Sequence, residues 1–557
     1  MLVTVKKMIE MKQIIKKSWL AIMIIGSIAG CTKLNETVYS SYLTSNYYKN
    51  QNEVVSAVLR PYTHTQAWIT SSGQVGYWRV SELTGDQLAW PVKGVDGQDN
   101  GDWIRLHYHS WQVNDPDIVG NPWNLMYTGV GYCNDPIDNL SKLTAESMGI
   151  TESDRQQYLA ELHLLRAFYY MKLMDLYGNI PVVTQVAVPL SPPTVPRDSV
   201  FQFVESEILA WKDKVPNLST TMIGRMSKAG AFAMLAELYL NAEKWSGTAR
   251  WQDCIANCDS LINGTAGSQT GGAMALDSNL DETYSNTNKQ SSEIIFSMDY
   301  DYQASTFRVN FNSDFYHFNE RYIYDGTENG NNGIVLIPGT YSKYADNDLR
   351  KKDWFYIGPM YYLTDSTKPV QGYREYSGKP LVFVDNIRKN ITLAPGQDPN
   401  SLPSNMTTGE ENSGVRFNKW KPGRQSDPHY FSNDWAVYRL SWIYFAKAEA
   451  IMRMNGGTAT QDAVDLVNAV KKRAFTAADW PTAQSTVANF TLDSLLGERG
   501  KEFIFEGWRR QDLIRFGTFT TGTWWDHVPS NDKNKELFPI PYTTINNNKN
   551  LKQNPGY

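Results

Sequence analysis

The sequence predicts a mainly α-helical fold, in which tetratricopeptide-like helix pairs form a scaffold around a loop-rich, partly β middle region. Long amphipathic runs fill residues 46–262 and return over 435–517. Residues 263–434 are rich in Gly, Asn, Ser and Tyr, and turn dipeptides separate their short apolar runs. Two helix–turn–helix stretches also resemble each other, as is typical of stacked helix pairs.

The run DRQQYLAELHLLRAFYYMKLMDLYG, residues 154–178, shows the helical pattern most clearly. Its apolar residues, among them Leu159, Leu162 and Leu165, recur at the three-to-four-residue spacing of one helix face. Gly178 predicts the end of this helix, because glycine readily adopts the backbone conformation that follows a last helical turn.

The two similar stretches are AMLAELYLNAEKW with CIANCDSLI, and IYFAKAEAIMRM with AVDLVNAVKKRA. Each has an alanine-containing helix, a short turn, and a second helix with a small residue at its centre, which lets paired helices approach closely. Cys254 and Cys258 are four residues apart and share one face of such a helix. We interpret them as small core residues, because a metal site needs more ligands.

The N-terminal segment has the order of a secretory signal: a basic stretch, an apolar run from Trp19 to Ile25, then small residues before Cys31. The run is shorter than the roughly 20 residues that a membrane-spanning helix requires. Residues 1–30 are therefore predicted to be a lipoprotein signal peptide and Cys31 the lipidated residue. The alternative is an ordinary cleaved signal with an incidental cysteine.

The mature chain is predicted to be a single domain made of three parts. These are a helical part (31–262), an irregular insertion (263–434), and a helical part with an extended tail (435–557). The formal net charge is −5, and no basic block is present, which argues against nucleic acid as a partner. The sequence contains no phosphate-cradling, dinucleotide-binding or hydrolase motif, so we predict no cofactor, no catalytic residue and no enzymatic activity.

The stretch DGQDNGDW, residues 96–103, allows three interpretations. In a calcium loop, His107 would stand where a bidentate glutamate belongs. As a set of catalytic acids, the stretch lacks any supporting motif. As a glycine-rich, flexible turn, it would carry Trp103 at the edge of a binding site. His107 and His109 would share one face of a strand, but no third metal ligand stands nearby, and we predict no metal site.

Aromatic residues on loops indicate a saccharide site, because sugar rings stack their C–H faces on flat side chains while amides, acids and guanidinium groups bind the hydroxyls. The chain has 18 Trp, 32 Tyr and 21 Phe. The strongest candidates for stacking are Trp90 and Trp103. Their predicted hydroxyl partners are Asp86, Asn100, Asp102 and Arg105. Two further loop clusters contribute Tyr300 with Tyr316, and Trp420 with Arg424. For each of these residues, loop packing or solvation is the alternative.

The run ERGKEFIFEGWRRQDLIR places Glu498, Glu502 and Glu506 at four-residue steps among arginines. A general acid needs a raised pKa, whereas arginine partners lower the pKa of a carboxylate. We therefore interpret this run as an ion-paired structural helix rather than as a catalytic pair of carboxylates.

Several stretches together resemble the SusD/RagB family of Bacteroidetes outer-membrane nutrient-binding lipoproteins. They are AELHLLRAFYYMKLMDLYGNIPVV, GRMSKAGAFAMLAELYL, YRLSWIYFAKAEA, LLGERGKEFIFEGWRRQDLIRFG and the terminal LFPIPYTTINNNKNLKQNPGY. They lie in order across nearly the whole mature chain.

The resemblance implies a helical fold and a lipid-anchored place on the surface of the outer membrane. There, the protein would cap a TonB-dependent, SusC-like transporter and capture an oligosaccharide for import. The early loop around Trp90 and Trp103 resembles a family loop that contributes a ligand-stacking aromatic. Two alternatives remain at this point: a binder of peptide or another nutrient, and a surface glycosidase.

Overall fold

The long helices begin and end where the local sequence supplies caps. The computed structural model describes residues 47–186, 191–304, 309–389, 394–398 and 401–557. The predicted signal peptide and Cys31 lie outside the described residues. In Glu152–Tyr177, the longest helix of the described residues, the Thr151 side chain accepts from the backbone of Asp154, and Asp154 bonds back to Thr151. The helix ends at Gly178, whose φ of 68° suits glycine, as predicted.

The described residues contain sixteen α-helices. In chain order they are α1 Gln51–Ile69, α2 Tyr77–Leu83, α3 Asp102–His107, α4 Asn121–Lys142, α5 Glu152–Tyr177, α6 Arg197–Trp211, α7 Lys228–Leu240, α8 Ala242–Ser246, α9 Trp251–Ile262, α10 Leu349–Asp353, α11 Leu440–Met454, α12 Gln461–Lys471, α13 Trp480–Ala483, α14 Leu492–Glu502, α15 Arg509–Arg515 and α16 Tyr542–Asn547.

The strands are short. They are β1 Leu88–Ala89, β2 Ile294–Met298, β3 Val335–Leu336, β4 Phe355–Tyr356, β5 Gly358–Pro359, β6 Tyr361–Tyr362, β7 Asp365–Pro369, β8 Val382–Phe383, β9 Arg416–Phe417 and β10 Trp435–Arg439. They form antiparallel pairs: β1 with β3, β2 with β10, β4 with β9, β5 with β8, and β6 with β7. Leu88 lies opposite Leu336, so β1 brings the loop that carries Trp90 against the middle region.

Neighbouring helices pack as pairs. Helix α4 packs against α5, and α5 against α6; α7 packs against α9, and α11 against α12. The last two pairs are the two similar stretches of the sequence, and α9 also packs against α11, which places these pairs side by side. Cys254 and Cys258 are fully buried on one face of α9. The predicted fold, helical pairs with small sheets in the middle region, is confirmed.

A network of buried charges lies where the middle region meets the C-terminal helices. Arg439, the last residue of β10, donates to the carboxylates of Glu293, Glu502 and Glu506 at 2.9, 3.0 and 2.8 Å. Lys419 Nζ bonds Glu506 at 2.5 Å. Every one of these side chains is at most 7 % exposed. Because buried charges must be paired, the network fixes how these segments join.

The ion pairing predicted for residues 498–506 is confirmed, but the partners come from elsewhere in the chain. Glu498 accepts from Arg350 at 2.7 Å, and Arg350 belongs to α10 in the middle region. Arg499, a sequence neighbour, bonds Asp512 of α15 instead, at 2.8 Å. These short pairs connect separate elements, whereas the pair within α14, Glu498 with Lys501, is longer at 3.9 Å.

The described residues from Lys49 onward form one compact unit. Among these residues, no helix combines the length and the apolar character that crossing a membrane requires.

Candidate functional site

Trp90 and Trp103 stack on each other. Trp90 follows β1, and Trp103 lies in the first turn of α3. Their ring centroids are 4.7 Å apart and their planes differ by 11°. Trp103 is only 5 % exposed, whereas Trp90 is half-buried. The prediction that both rings offer faces to a sugar therefore needs correction, since Trp103 supports Trp90 from behind. Trp90 is the member of the pair with accessible surface.

The turn between the two tryptophans explains why its sequence is rich in glycine and acid. Asp99, Asn100 and Gly101 all have positive φ, which asparagine and glycine tolerate better than most residues. The Trp103 indole N–H donates to Asp99 Oδ2 at 2.6 Å. The turn therefore holds Trp103 in a defined position, whereas the sequence predicted a flexible turn.

Arg79 and Gly333 fix the Trp90 ring from two other directions. The Arg79 guanidinium carbon lies 5.3 Å from the Trp90 centroid and 5.5 Å from the Trp103 centroid. Gly333 passes so close that a Cβ there would lie 2.4 Å from Trp90 Cε2. The Gly333 carbonyl accepts from the buried Lys93 at 2.9 Å, which holds this loop in place. Trp90 is therefore pre-oriented, which lowers the entropy cost of binding.

Two of the predicted hydroxyl partners are already paired with arginine. Asp102 forms an ion pair with Arg105, whose Nε also bonds Asp115 at 3.0 Å. Burial raises the pKa of Asp102 to about 6, although Arg105 opposes this shift. Asp86 binds both nitrogens of the Arg509 fork, at 2.5 and 2.8 Å. Its pKa is lowered because Arg509 outweighs the opposing effect of burial.

These contacts limit which of the four predicted partners can reach a ligand at Trp90. Asp102 is buried, and Asp86 faces Arg509, so both are corrected to structural roles. Asn100 is exposed, but its backbone carbonyl accepts from Arg105 at 2.7 Å. Arg105 keeps 25 % of its side chain accessible. Asn100 and Arg105 thus remain available at the edge of the site.

The structure adds a second aromatic pair that the sequence analysis did not select. Phe318 and Tyr373 lie with ring centroids 5.3 Å apart, and Tyr373 is 58 % exposed. Arg374 lies over the Phe318 ring at 5.1 Å and pairs with Asp96 at 3.0 Å. Asp96 precedes Gly97, where an added Cβ would lie 3.3 Å from Trp90 Cδ1. We call Trp90, Asp96, Phe318, Tyr373 and Arg374 the aromatic platform.

The platform has the two components that a sugar needs. Its rings offer apolar faces, and the Asp96–Arg374 pair offers an acceptor and several donors at the surface. Burial raises the pKa of Asp96, while Arg374 and Lys93 act against that shift. Its one acid, Asp96, is paired with Arg374, so the platform does not present the two carboxyl groups of a general acid and base.

The second and third predicted clusters lie mostly in the core. Tyr300 is 7 % exposed, and Tyr316 is fully buried with its hydroxyl bonded to Asn418. Trp420 is 1 % exposed and stacks on Trp435 with centroids 4.3 Å apart. Tyr316 and Trp420 have no accessible face for a ligand, so we correct them to core residues. Tyr300 is largely buried but lines a pocket of about 130 Å³ together with Asn286 and His429. Arg424 is exposed, and its role in binding stays a prediction.

His107 and His109 do not lie on a strand, as the alternation suggested. His107 ends α3, and His109 follows it with a φ of 51°. His107 Nε2 faces Asp526 at 2.7 Å, while His109 Nε2 faces the carbonyl of Thr84 at 2.9 Å. Burial lowers the pKa of His109 to about 3. Within the described part of the chain, no three His, Cys, Asp or Glu side chains are grouped as metal ligands.

Comparison with known proteins identifies the family. A model described as the SusD family matches residues 239–557. That is more than half of the chain. The chain belongs to the SusD family. A second model, described as starch-binding and associating with the outer membrane, matches residues 7–240. The resemblance predicted from the sequence is thereby confirmed.

Named relatives of this SusD-family chain are similar along most of their length. The starch-binding protein SusD of Bacteroides thetaiotaomicron is 26% identical over 527 residues, which cover 87% of this chain and 86% of that protein. SusD-like protein P38 of Formosa agariphila is 24% identical over 414 residues, covering 72% and 74%.

Solved structures show the same fold. Surface glycan-binding protein A from Bacteroides thetaiotaomicron has a TM-score of 0.67 at 21% identity, and covers 91% of this chain and 100% of that one. The structure of that protein in complex with laminarihexaose has a TM-score of 0.65 at 20% identity, covering 91% and 99%. At this identity the likeness concerns the fold.

Proposed function

We propose that this SusD-family chain is a cell-surface lipoprotein that binds an oligosaccharide and delivers it to a TonB-dependent, SusC-like transporter. The observation that carries the proposal is the aromatic platform, in which the Asp96–Arg374 ion pair joins the loop of the pre-oriented, half-buried Trp90 to the segment of the exposed Tyr373. Relatives named as starch-binding and glycan-binding proteins support the choice of a saccharide.

The shape of the platform favours a glycan over a small charged nutrient. Its three rings lie on loops and keep accessible surface, so an extended ligand can contact more than one of them. Arg374 and Asp96 neutralise each other, which suits neutral hydroxyls better than an ion. Asn100 and Arg105 at the edge would add hydrogen bonds to an adjoining sugar unit.

We propose a binding role without catalysis. A glycosidase needs two carboxyl groups that flank the scissile bond, one of them held with a raised pKa. On the platform, Asp96 is paired with Arg374, and the nearby Asp102 is buried against Arg105. Neither arrangement gives a pair of carboxylates open to a substrate.

The anchor and the transporter complete the proposal. Acylation of Cys31 would hold the protein at the outer membrane, consistent with the description of the matching family model. The tether would keep the platform close to a transporter in the same membrane, which raises the effective concentration of captured ligand there.

Affinity electrophoresis of the mature protein across a panel of neutral and acidic polysaccharides tests the proposal. We expect retardation by one class of glycan and unchanged glycan chains on product analysis. Release of reducing sugar would contradict the binding role and favour the glycosidase. Absence of retardation on the whole panel, together with retention of a peptide library, would instead favour a peptide binder.

A further inference from the structure

Trp525 is a half-buried tryptophan that lies outside the aromatic platform, on the loop that follows α15. Its φ is 47°, and a bulky side chain adopts this left-handed conformation only at a cost in free energy. The other described Trp, Tyr and Phe residues with positive φ are at most 4 % exposed, so packing offsets their cost; they are Tyr48, Phe431 and Phe505. Trp525 keeps accessible surface instead, and strained residues of this kind cluster at ligand sites.

Hydrogen bonds hold the loop of Trp525 in place on both sides of the indole. The Trp525 indole N–H donates to Ser404 Oγ at 3.0 Å. Asp526 Oδ1 accepts from His107 Nε2 at 2.7 Å, and His527 Nδ1 donates to the His107 carbonyl at 2.6 Å. The ring therefore has a fixed orientation before any ligand binds, which lowers the entropy cost of binding.

Trp525 and Trp90 cover neighbouring positions of the same helix. Trp103 and His107 are four residues apart in α3, so they share one face, with Cβ atoms about 5–6 Å apart. Trp90 stacks on Trp103, and Trp525 packs against His107 with ring centroids 5.4 Å apart and planes at 60°. Trp103 and His107 are 5 % and 1 % exposed. The two accessible indoles are therefore about one helical turn apart.

A single residue also joins the two loops. Val92, two residues after Trp90, donates its backbone N–H to the Met406 carbonyl at 2.8 Å. The Met406 N–H donates in turn to Asp526 Oδ2 at 2.9 Å. The loop of Trp90 and the loop of Trp525 are thus held at a fixed spacing, and their surfaces are continuous.

Polar groups of low net charge surround the Trp525 indole. Ser404 and Asn405 are half-buried beside it and supply a hydroxyl and an amide. Arg105, on the same helix α3, keeps 25 % of its side chain accessible, but its charge is already paired with Asp102. Hydroxyls and amides next to an aromatic ring suit the neutral hydroxyls of a sugar.

From this geometry we propose that Trp525 is a second stacking subsite for the glycan chain that binds at Trp90. A single sugar unit can stack on only one of the two indoles, whereas an oligosaccharide that extends along α3 contacts both. The substrate is then a chain of several sugar units rather than a mono- or disaccharide. The subsite rests on the proposed function, since it requires a glycan at the aromatic platform.

Titration calorimetry of the mature protein with size-fractionated oligosaccharides tests the subsite. The probes run from disaccharide to octasaccharide and are prepared from starch, from laminarin and from any other polysaccharide that retards the wild-type protein. We expect wild-type affinity to rise by about tenfold or more from the shortest fraction that binds to the octasaccharide, because only longer chains reach both indoles.

Variants at Trp525 make the test specific. Trp525→Gly removes the indole at a position where glycine suits the backbone, and should weaken octasaccharide binding by about tenfold while leaving the shortest fraction unaffected. Trp525→Phe keeps an aromatic face and should retain most of the octasaccharide affinity. Trp480→Ala is the matched control, because it removes a half-buried tryptophan from the start of α13, and should bind every fraction as the wild type does.

The subsite is overturned if wild-type affinity does not depend on chain length, a result that needs no variant. It is also overturned if folded Trp525→Gly binds the octasaccharide as tightly as the wild type, or if that variant weakens all fractions equally, as a structural role for the indole would. Failure of the proposed function looks different, because wild-type protein would then bind no fraction of any length, which would overturn both proposals. Trp90→Ala should weaken every fraction.

Discussion

The buried ionic network and the aromatic platform use the same kinds of residue for opposite purposes. In the network, Arg439 is 2 % exposed and is bonded to three carboxylates. On the platform, Arg374 is 41 % exposed and has one carboxylate partner, Asp96. Both arginines lie close to an aromatic ring, with Phe503 at 4.6 Å from Arg439 and Phe318 at 5.1 Å from Arg374.

The two arginines differ in how many of their N–H donors are already bonded within the protein. Every donor that Arg439 presents is used within the protein, so the network can only hold the scaffold together. Arg374 and Tyr373 keep surface that solvent now covers, and a sugar can replace that solvent. Residue type therefore does not distinguish a scaffold from a site. The remaining accessible surface does.

The largest effect is expected from Arg439→Ala. The substitution leaves Glu293, Glu502 and Glu506 buried with too few partners, and breaking a buried ion pair costs about 3–5 kcal/mol. Urea denaturation measures the loss in free energy of unfolding. The matched surface variant, Arg374→Ala, should change stability by no more than about 0.5 kcal/mol. Equal losses for both variants would remove the distinction between the two regions.

The second-largest effect is expected from acid, which should weaken the buried ion pairs of the scaffold. Burial alone would raise the pKa of Glu502, but Arg439 and Arg473 lower it to about 2. Arg515 likewise lowers the pKa of the buried Glu449 to about 2. Because these folded-state values lie below the unfolded value near 4.5, their stabilisation is complete above pH 4.5 and is lost as the pH falls towards 2.

The expected loss is on the order of 3 kcal/mol for each of these carboxylates, measured by urea denaturation at steps between pH 5 and 2.5. Glu152 provides the control: Arg155 also lowers its pKa to about 2, but Glu152 lies on the surface. The profile of Glu152→Gln should overlay that of the wild type. A stability that stays flat or rises on acidification would contradict this account.

The sequence predicted the elements better than the site. Local signals were sufficient for the helix that ends at Gly178, and for the shared face of Cys254 and Cys258. The partners of Glu498 and Glu502 were not predictable, because Arg350 and Arg439 lie 148 and 63 residues away in the chain.

The site was harder to predict for the same reason, because its contacts join residues that are far apart in the chain. Trp103 follows acids and glycines and therefore suggested an exposed loop, yet Trp90 covers it through a contact that no local pattern encodes. Phe318 and Tyr316 stand two residues apart in one aromatic stretch, and only the path of the loop makes the first accessible and the second buried. The composition of the sequence was enough to locate the region around Trp90. Only the burial of each side chain in the structure shows which residues of that region can contact a ligand.

Gly333→Ala should disturb the platform more than the scaffold. The added methyl group would lie 2.4 Å from Trp90 Cε2, so the indole must shift, and such overpacking costs about 1–3 kcal/mol. We expect weaker glycan binding and a shifted tryptophan fluorescence spectrum. Gly272→Ala, at a glycine with open space, is the control. Unchanged affinity in Gly333→Ala would show that the orientation of Trp90 does not matter for binding.

The most direct test of the central claim is titration calorimetry of Trp90→Ala with the glycan that retards the wild-type protein. Loss of an accessible stacking ring should cost about 1–3 kcal/mol of binding, with the fold intact. Trp211→Ala, which removes a half-buried tryptophan from the end of α6, should bind as the wild type does. Wild-type affinity in Trp90→Ala would contradict the claim that the aromatic platform is the glycan site.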